Sequence, residues 1–177
     1  STTRIADAAS KTGISSLINS PEGVFYAEIS AFANDGTTRA ISINDGSLNN
    51  TVSIMYSGAS NNVRFLLRAA GSTYVDINFV LSDITIINKL AFTYKSNDFL
   101  AYANGVQVGS SLSGSVPATN ILNNITTTRP DGNNFYGNVQ NLMVFPSALT
   151  DDELSDLTGA VHQTFNSLAT FYNYTIL

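Results

Sequence analysis

The sequence predicts an all-β domain built from short antiparallel strands. Between residues 23 and 145, apolar and polar side chains alternate in short runs, and clusters of Gly, Asn, Asp and Ser separate the runs about every ten residues. Many short strands without intervening helices are typical of a sandwich, a jelly roll or a barrel. The candidate strands are VFYAEISAF (24–32), AISIN (40–44), TVSIMYS (51–57), VRFLLRAA (63–70), YVDINFVL (74–81), KLAFTYK (89–95), FLAYAN (99–104), VQVGSS (106–111) and FYGNVQNLMVF (135–145).

Within single runs, the apolar residues share one face. Ile41 and Ile43 alternate with polar neighbours, and so do Val52, Ile54 and Tyr56. One face of each strand is therefore expected to line the core, and the other to carry Ser, Asn, Met or Thr. Turn-forming sequences bound the runs: NDG (34–36), NDG (44–46), SGASNN (57–62), KSND (95–98) and RPDG (129–132). No repeat of fixed period is present, which argues against a propeller.

The C-terminal part of the sequence predicts a helix that begins at Thr150. Thr150 and Glu153 have the spacing of a capping box, and acidic residues in a first turn suit the positive end of the helix dipole. Pro146 cannot donate to a sheet ladder, so the preceding strand should end before it or lie on an edge. An apolar stripe follows, which Gly159 could divide into two shorter helices. Its members are Leu154, Leu157, Val161, Phe165 and Leu168.

The composition is consistent with one domain of 177 residues, of which 44% are hydrophobic and 12% charged. We expect residues 1–22 to lead into the sheet structure and residues 150–177 to form the helical extension. The absence of Cys excludes disulfides, thiolate metal sites and a Cys nucleophile. No stretch resembles a signal peptide or a membrane span, so the chain is expected to be soluble, without membrane insertion.

The net charge of −5 argues against a nucleic-acid partner, because phosphate backbones repel an acidic protein. The one basic pair at short spacing is Arg64 and Arg68. Two basic residues are too few to form a basic surface that binds the phosphate backbone of a nucleic acid.

Two segments carry a family resemblance. INKLAFTYKSNDFLAYANGVQVGS (87–110) resembles the strand, turn, strand and NG hairpin of laminin-G-like and concanavalin-A-like jelly-roll domains, and FYGNVQNLMVFPSALTDDELSDL (135–157) resembles their closing strand and short helix. The resemblance implies an antiparallel two-sheet β-sandwich. Asn104 and Gly105 suit a tight hairpin turn. In the closing strand, Val139, Leu142 and Val144 are expected to fill the core, with a bulge near Asn141.

A further resemblance concerns biological context. Residues 9–29 and the ending NYTIL are similar to such domains at the C-terminal ends of bacteriophage tail fibres and related virion proteins. This similarity implies a virion or extracellular location, and a cell-surface glycan or glycoprotein as partner. It also implies a homo-oligomer such as a trimer.

The glutamates argue against catalysis. The resembled superfamily includes glycanases that place Glu, Asp and Glu on one strand face, since retaining hydrolysis needs an acid and a nucleophile about 5 Å apart. The three glutamates here, Glu22, Glu28 and Glu153, show no such pattern, and Gln140 stands where the family commonly has an acidic residue. His162 has no acid placed to orient it. We therefore expect a domain without enzymatic activity.

A calcium ion is the one cofactor that the resemblance implies. Laminin-G-like relatives often hold calcium at a loop rim with Asp and Asn oxygens, which suits a hard ion that takes six to eight oxygen ligands. Asp35, Asn44 and Asp45 are the candidate ligands, and the 131–134 loop offers others. Asn-Asp-Gly and Pro-Asp-Gly also form turns in their own right, so a purely structural role stays open.

Sugar recognition needs an aromatic face together with amides, carboxylates or Arg. Tyr136 follows the loop RPDGNN, and we predict a ligand site there. The alternative is that outward Tyr, as at Tyr74 and Tyr102, reflects β propensity alone. Arg64 and Arg68 could bind an acidic glycan or pair with Asp76 of another subunit. The predicted ligand-binding residues are Arg129, Asp131, Asn133, Asn134, Tyr136, Arg64 and Arg68.

Three functions follow from these residues. The first is a non-catalytic carbohydrate-binding or host-receptor-recognition domain, on a tail fibre or another virion appendage. The second is a structural module for assembly or decoration of a virion. The third, which the glutamates disfavour, is a glycan hydrolase.

Truncation after Gly159 tests the C-terminal extension. Val161, Phe165 and Leu168 are too apolar to remain exposed, so they should cover the sandwich or contact another subunit. The truncated protein is expected to aggregate or to lose its oligomeric state in size-exclusion chromatography with light scattering. A soluble truncation of unchanged stability and mass would contradict this expectation.

Overall fold

A computed structural model describes residues 9–159 of the chain. These residues form eleven strands and one helix: β1 Ser10–Lys11, β2 Glu22–Ala31, β3 Arg39–Asn44, β4 Thr51–Tyr56, β5 Asn62–Ala69, β6 Ser72–Val80, β7 Asn88–Lys95, β8 Asp98–Ala103, β9 Val106–Ser111, β10 Asn124–Thr126, β11 Gly137–Phe145 and α1 Asp151–Thr158. The predicted all-β class is confirmed. Within the described residues, no helix has the length and apolar character that crossing a membrane requires.

The strands form two antiparallel sheets that face each other as a sandwich, rather than a closed barrel. The six-stranded sheet has the order β1-β10-β3-β4-β5-β6, and the five-stranded sheet has the order β11-β2-β7-β8-β9. The two sheets share one apolar core, in which Phe65 packs against Phe92 at a ring-centroid distance of 5.4 Å. Alternation within each strand places every second side chain in this core and leaves the others on two outer faces.

The hairpin and bulge expectations are confirmed. Asn104 and Gly105 take φ values of 50° and 86° at the turn between β8 and β9. The pairing of β11 with β2 shifts register between Val139 and Asn141, which is the predicted bulge. The expectation for Val139 is wrong, since it is 39% exposed. The reason is that β11 is an edge strand, where only part of each inward side chain is covered.

The helix α1 begins as the sequence predicts. The Thr150 hydroxyl accepts from the Glu153 amide, and the Thr150 amide donates to Glu153 Oε2 at 2.8 Å, which completes the capping box. The strand β11 ends at Phe145, immediately before Pro146, and lies on a sheet edge. The expectations for Val161, His162, Phe165 and Leu168 concern residues outside the described part of the chain.

The helix covers part of the outer face of the five-stranded sheet. Leu154 is fully buried and packs with Val24, Tyr26, Ala91 and Tyr102 in a second apolar cluster. Tyr102 therefore does not offer an open platform for a sugar.

Leu154→Ala should lower the free energy of unfolding by about 2–5 kcal/mol, because it leaves a cavity between α1 and the sheet. Urea denaturation followed by circular dichroism measures the change. Leu112→Ala serves as the matched control, since Leu112 is 78% exposed and its truncation should cost less than about 0.5 kcal/mol. Equal losses in the two variants would show that α1 does not stabilise the sandwich.

Candidate functional site

Small polar residues occupy the centre of the outer face of the six-stranded sheet. Ser42 of β3 lies opposite Ser53 of β4, and Asn44 lies opposite Thr51. Their neighbours in the sequence face the core, so alternation directs these four side chains outward. All four are buried, and they bond to one another along the strands, with Asn44 Nδ2 donating to Ser42 Oγ at 2.9 Å.

A small apolar cluster adjoins this polar centre. Ala40, Met55 and Leu66 pack together and are buried, although they too lie on the outer face. Apolar residues on the outside of a sheet stay buried only when long side chains or loops lie above them. The stems of arginine side chains are suited to this, because they cover apolar surface while the charged heads reach water.

Two arginines of β5 flank Leu66 on this face. Arg64 makes a bidentate pair with Asp76 of β6, with Nε–Oδ1 at 2.7 Å and Nη2–Oδ2 at 2.6 Å. This pair raises the pKa of Arg64 and lowers the pKa of Asp76. It lies within one chain, so Asp76 needs no second subunit as a partner. Arg68 lies at a register shift between β5 and β6, and its Nη2 donates to the Gly71 carbonyl at 2.7 Å.

A third arginine, Arg129, comes from the loop between β10 and β11. Residues 129–132 form the predicted β-turn, in which the Gly132 amide donates to the Arg129 carbonyl at 2.9 Å and Gly132 has a φ of 85°. Thr128 and Asn134 pair across the base of this turn as an antiparallel bridge. The stem holds Arg129 in a defined position next to the end of β10.

The charge of Arg129 interacts with those of Arg64 and Arg68. Arg129 is only 8% exposed. Burial lowers the pKa of Arg129, the charge of Asp131 opposes this change, and the charges of Arg64 and Arg68 add to it. The fold thus brings together arginines that are far apart in the sequence. We call this group the arginine cluster.

Two donors of the arginine cluster have no partner among the residues that the structure describes. Among residues 9–159, the buried Nε atoms of Arg68 and Arg129 lack a hydrogen bond. An unpaired buried donor costs about 1–3 kcal/mol, so each of these groups would gain from an acceptor brought by a ligand. Planar guanidinium forks match carboxylate and phosphate oxygens especially well.

The other predicted residues of the loop have internal partners. Asp131 pairs with Arg129, with Nη1–Oδ2 at 2.6 Å. The Asn133 carbonyl accepts from the Arg129 amide at 3.1 Å, and Asn134 Oδ1 accepts from the Thr128 hydroxyl at 2.7 Å. Asn133 and Asn134 therefore stabilise the loop that carries Arg129.

Phe135 and Tyr136 have opposite environments. Phe135 is buried in the core against Tyr56, with ring centroids 5.9 Å apart. Tyr136 is 43% exposed, and its carbonyl accepts from the amide of Phe32 at 3.4 Å. Phe32 continues β2 of the five-stranded sheet and is 64% exposed. Tyr136 thus joins an exposed aromatic pair beside the five-stranded sheet, whereas the arginine cluster belongs to the six-stranded sheet.

The predicted calcium ligands do not form one site. Asp35 precedes β3, whereas Asp45 follows it, so the length of the strand separates them. Both oxygens of Asp35 bind Arg39, and a backbone bond from Thr37 together with this pair lowers the pKa of Asp35 to about 2. Asp45 accepts from Ser47 and Asn50 within its own turn, and Asn44 Oδ1 accepts from the Gly46 amide.

No cage of six to eight oxygens arises from these residues, and the described part of the chain has no group of three or more His, Cys, Asp or Glu suited to a metal ion. The residues therefore do not fit a shared calcium site, and calcium binding at either end of β3 stays a prediction.

The glutamates serve structural roles. Glu28 accepts from the Tyr26 hydroxyl at 2.6 Å and from Asn141 Nδ2. Glu22 lies 3.7 Å from Lys95 Nζ, and Glu153 caps α1.

Sequence reasoning missed the supporting residues of the face. Thr126 of β10, opposite Ser42, accepts from Asn44 Nδ2 and so joins the polar centre. The signal for Ser42, Thr51 and Ser53 was present as alternation within AISIN and TVSIMY. Strand β10 has three residues, which is too short for a periodic pattern.

The comparisons with known proteins agree with the fold. The family model described as the concanavalin A-like lectin/glucanases superfamily matches residues 25–155. The chain belongs to this superfamily. No curated protein matches the sequence significantly.

Solved structures of similar fold include carbohydrate-binding domains. The CBM40 domain of the Ruminococcus gnavus IT-sialidase, bound to α2,3-sialyllactose, has 14% identity and a TM-score of 0.67, with 89% of this chain and 96% of that chain covered. The NanB sialidase of Streptococcus pneumoniae has 21% identity and a TM-score of 0.64, with 89% and 28% covered. Domain 4 of AbnA, an extracellular arabinanase from Geobacillus stearothermophilus, was solved with arabinotriose and has 17% identity and a TM-score of 0.64, with 80% and 68% covered. At these identities, the likeness establishes the fold.

Phe135→Ala should lower the free energy of unfolding by about 3–5 kcal/mol, because it empties a core position that anchors the loop of Arg129. Tyr136→Ala is the matched control, and an exposed position should change stability by less than about 0.5 kcal/mol. Urea denaturation of both variants gives the comparison. A larger loss for Tyr136→Ala would contradict the placement of the two rings.

Proposed function

We propose that this protein is a carbohydrate-binding domain without catalytic activity, and that it binds glycans carrying a carboxylate on the outer face of its six-stranded sheet. The proposal is supported by Arg64 and Arg68 on that face and by their electrostatic effect on the nearly buried Arg129. A cluster of guanidinium groups with unpaired donors attracts an anion. It also orients a carboxylate, because the two groups form paired hydrogen bonds.

The fold and its relatives support this proposal. The CBM40 domain of similar fold was solved with α2,3-sialyllactose and also with α2,6-sialyllactose, and both ligands carry a carboxylate on the sialic acid. The arabinanase domain was solved with arabinotriose, a neutral sugar. The arginine cluster favours the acidic class of ligand for this chain. The exposed pair Phe32 and Tyr136 offers a second contact for the apolar face of a sugar.

The wider setting follows the resemblance to virion proteins. In this proposal the domain is displayed outside the cell or on a virion appendage such as a tail fibre, and it recognises a cell-surface glycan or glycoprotein of a host. Low charge content and neutral polar loops suit a displayed recognition domain.

Assembly is a second candidate function, and the edge strand β11 favours it. Its nine residues, GNVQNLMVF, contain no charged residue and no Pro, and Val139 and Met143 are exposed. Natural edge strands are usually protected by charges, Pro or cover. A homo-oligomer such as a trimer is the corresponding expectation, and light scattering tests it.

Titration of the full chain with sialyllactose and with lactose, followed by NMR or calorimetry, tests the proposed ligand. Sialyllactose should bind at least about tenfold more tightly than lactose, since one charged hydrogen-bonded contact contributes about 1.5–3 kcal/mol. Arg68→Gln and Arg129→Gln should each weaken sialyllactose binding by about tenfold or more.

Lys95→Gln is the matched control, because it removes the same charge from the end of β7 in the other sheet. It should change affinity by less than about twofold. Equal binding of lactose and sialyllactose, or no binding of either, would contradict the proposal. A loss of binding in Tyr136→Ala, with both arginine variants unaffected, would move the site to the five-stranded sheet.

A further inference from the structure

The arginine cluster contains two internal carboxylates. Asp76 pairs with Arg64, and Asp131 pairs with Arg129. Within residues 9–159, no carboxylate pairs with Arg68, and the one hydrogen bond of its side chain goes to the Gly71 carbonyl. Three guanidinium groups and two carboxylates leave one net positive charge on this face, so the face is largely neutralised before a ligand arrives.

The two carboxylates are held in different ways. Asp76 lies on β6, makes both oxygens available to Arg64 and also accepts from Asn78 Nδ2 at 2.9 Å. Its position is fixed by strand pairing and by three hydrogen bonds. Asp131 lies in a β-turn, and in the described part of the chain Arg129 is the one partner of its side chain. A single contact from a turn is easier to exchange than a bidentate contact between paired strands.

Arg129 needs a counter-charge more than an exposed arginine does. It is nearly buried, its Nε has no partner among the described residues, and two like charges stand nearby. A desolvated cation next to like charges is unfavourable unless an anion compensates it. Asp131 supplies that anion through Nη1 and leaves the Nε donor free. A ligand carboxylate could bind Nη1 and Nη2 together as a fork, and it would then displace Asp131, which contacts Nη1 alone.

We infer that Asp131 is an exchangeable internal counter-ion of Arg129, which a ligand carboxylate displaces. The inference rests on the proposed function, because it concerns the same face. Asp131 thus sets the affinity and the selectivity of the face: a ligand must carry an anion strong enough to replace Asp131, and a neutral sugar cannot do so. Removal of Asp131 leaves the Arg129 charge uncompensated and favours anionic ligands.

Asp131→Asn tests this inference in the full chain, with sialyllactose and lactose as the probes. The variant should bind sialyllactose about three- to tenfold more tightly than the natural protein, because the competing charged contact is gone. Its affinity for lactose should stay within about twofold. Asp98→Asn is the charge-matched control, since Asp98 lies at the β7–β8 hairpin of the five-stranded sheet, and it should change neither affinity by more than about twofold.

A double-mutant cycle with Arg129→Gln distinguishes displacement of Asp131 by the ligand from a general electrostatic attraction between the protein and the ligand. In the Arg129→Gln background, Asp131→Asn should give no gain beyond about twofold, because the exchanged partner is absent. A gain of the same size in both backgrounds, or in Asp98→Asn, would overturn the inference. Weaker sialyllactose binding by Asp131→Asn would also overturn it, since Asp131 would then position Arg129.

The outcomes also distinguish the two proposals. If the natural protein prefers sialyllactose and Asp131→Asn shows no gain, the inference fails and the proposed function stands. If neither the natural protein nor Asp131→Asn binds sialyllactose, the proposed function fails and the inference fails with it.

Discussion

The strict alternation of the strands is the constraint on which the rest of this structure depends. Each strand must present every second residue to a core shared by two sheets, and those positions are filled by Val, Ile, Leu, Phe, Ala and Tyr. The remaining positions face outward, so packing in the core does not restrict which residues occupy them. On the five-stranded sheet, part of them bind α1 through Leu154. On the six-stranded sheet, they form the polar centre and carry Arg64 and Arg68.

The sequence predicted those parts of the fold that depend on local chemistry. The hairpin at Asn104, the turn at residues 129–132 and the capping box at Thr150 each need particular residue types at fixed positions, and all three are present in the structure. Alternation also predicted the sandwich. Strand β10 was not predicted, because its three residues are too few to show a periodic pattern. It forms through its pairing with β3.

The candidate site was predictable only in pieces. Arg64 and Arg129 were each recognised as candidates, yet nothing local in either segment relates one to the other. Sheet order is also hidden from local sequence, since β10 joins β3 although Asn124 lies eighty positions after Asn44. The same limit explains Tyr136. It is adjacent to Phe135 in the chain, but the alternation that buries Phe135 directs Tyr136 to the other sheet, with Phe32.

The pairing of β2 with β11 has a consequence for the order of folding. The bond between Glu28 and Asn141 spans 113 residues, and β2 lies between β7 and β11 in its sheet. During synthesis, β2 leaves the ribosome long before β7 and β11. The backbone groups on both edges of β2 are therefore unpaired until those strands have been made. Contacts between residues distant in the sequence slow folding, because forming them costs the conformational entropy of the intervening chain. The five-stranded sheet is complete only when β11 has been made, so we expect the pairing of β11 with β2 to be a late step of folding.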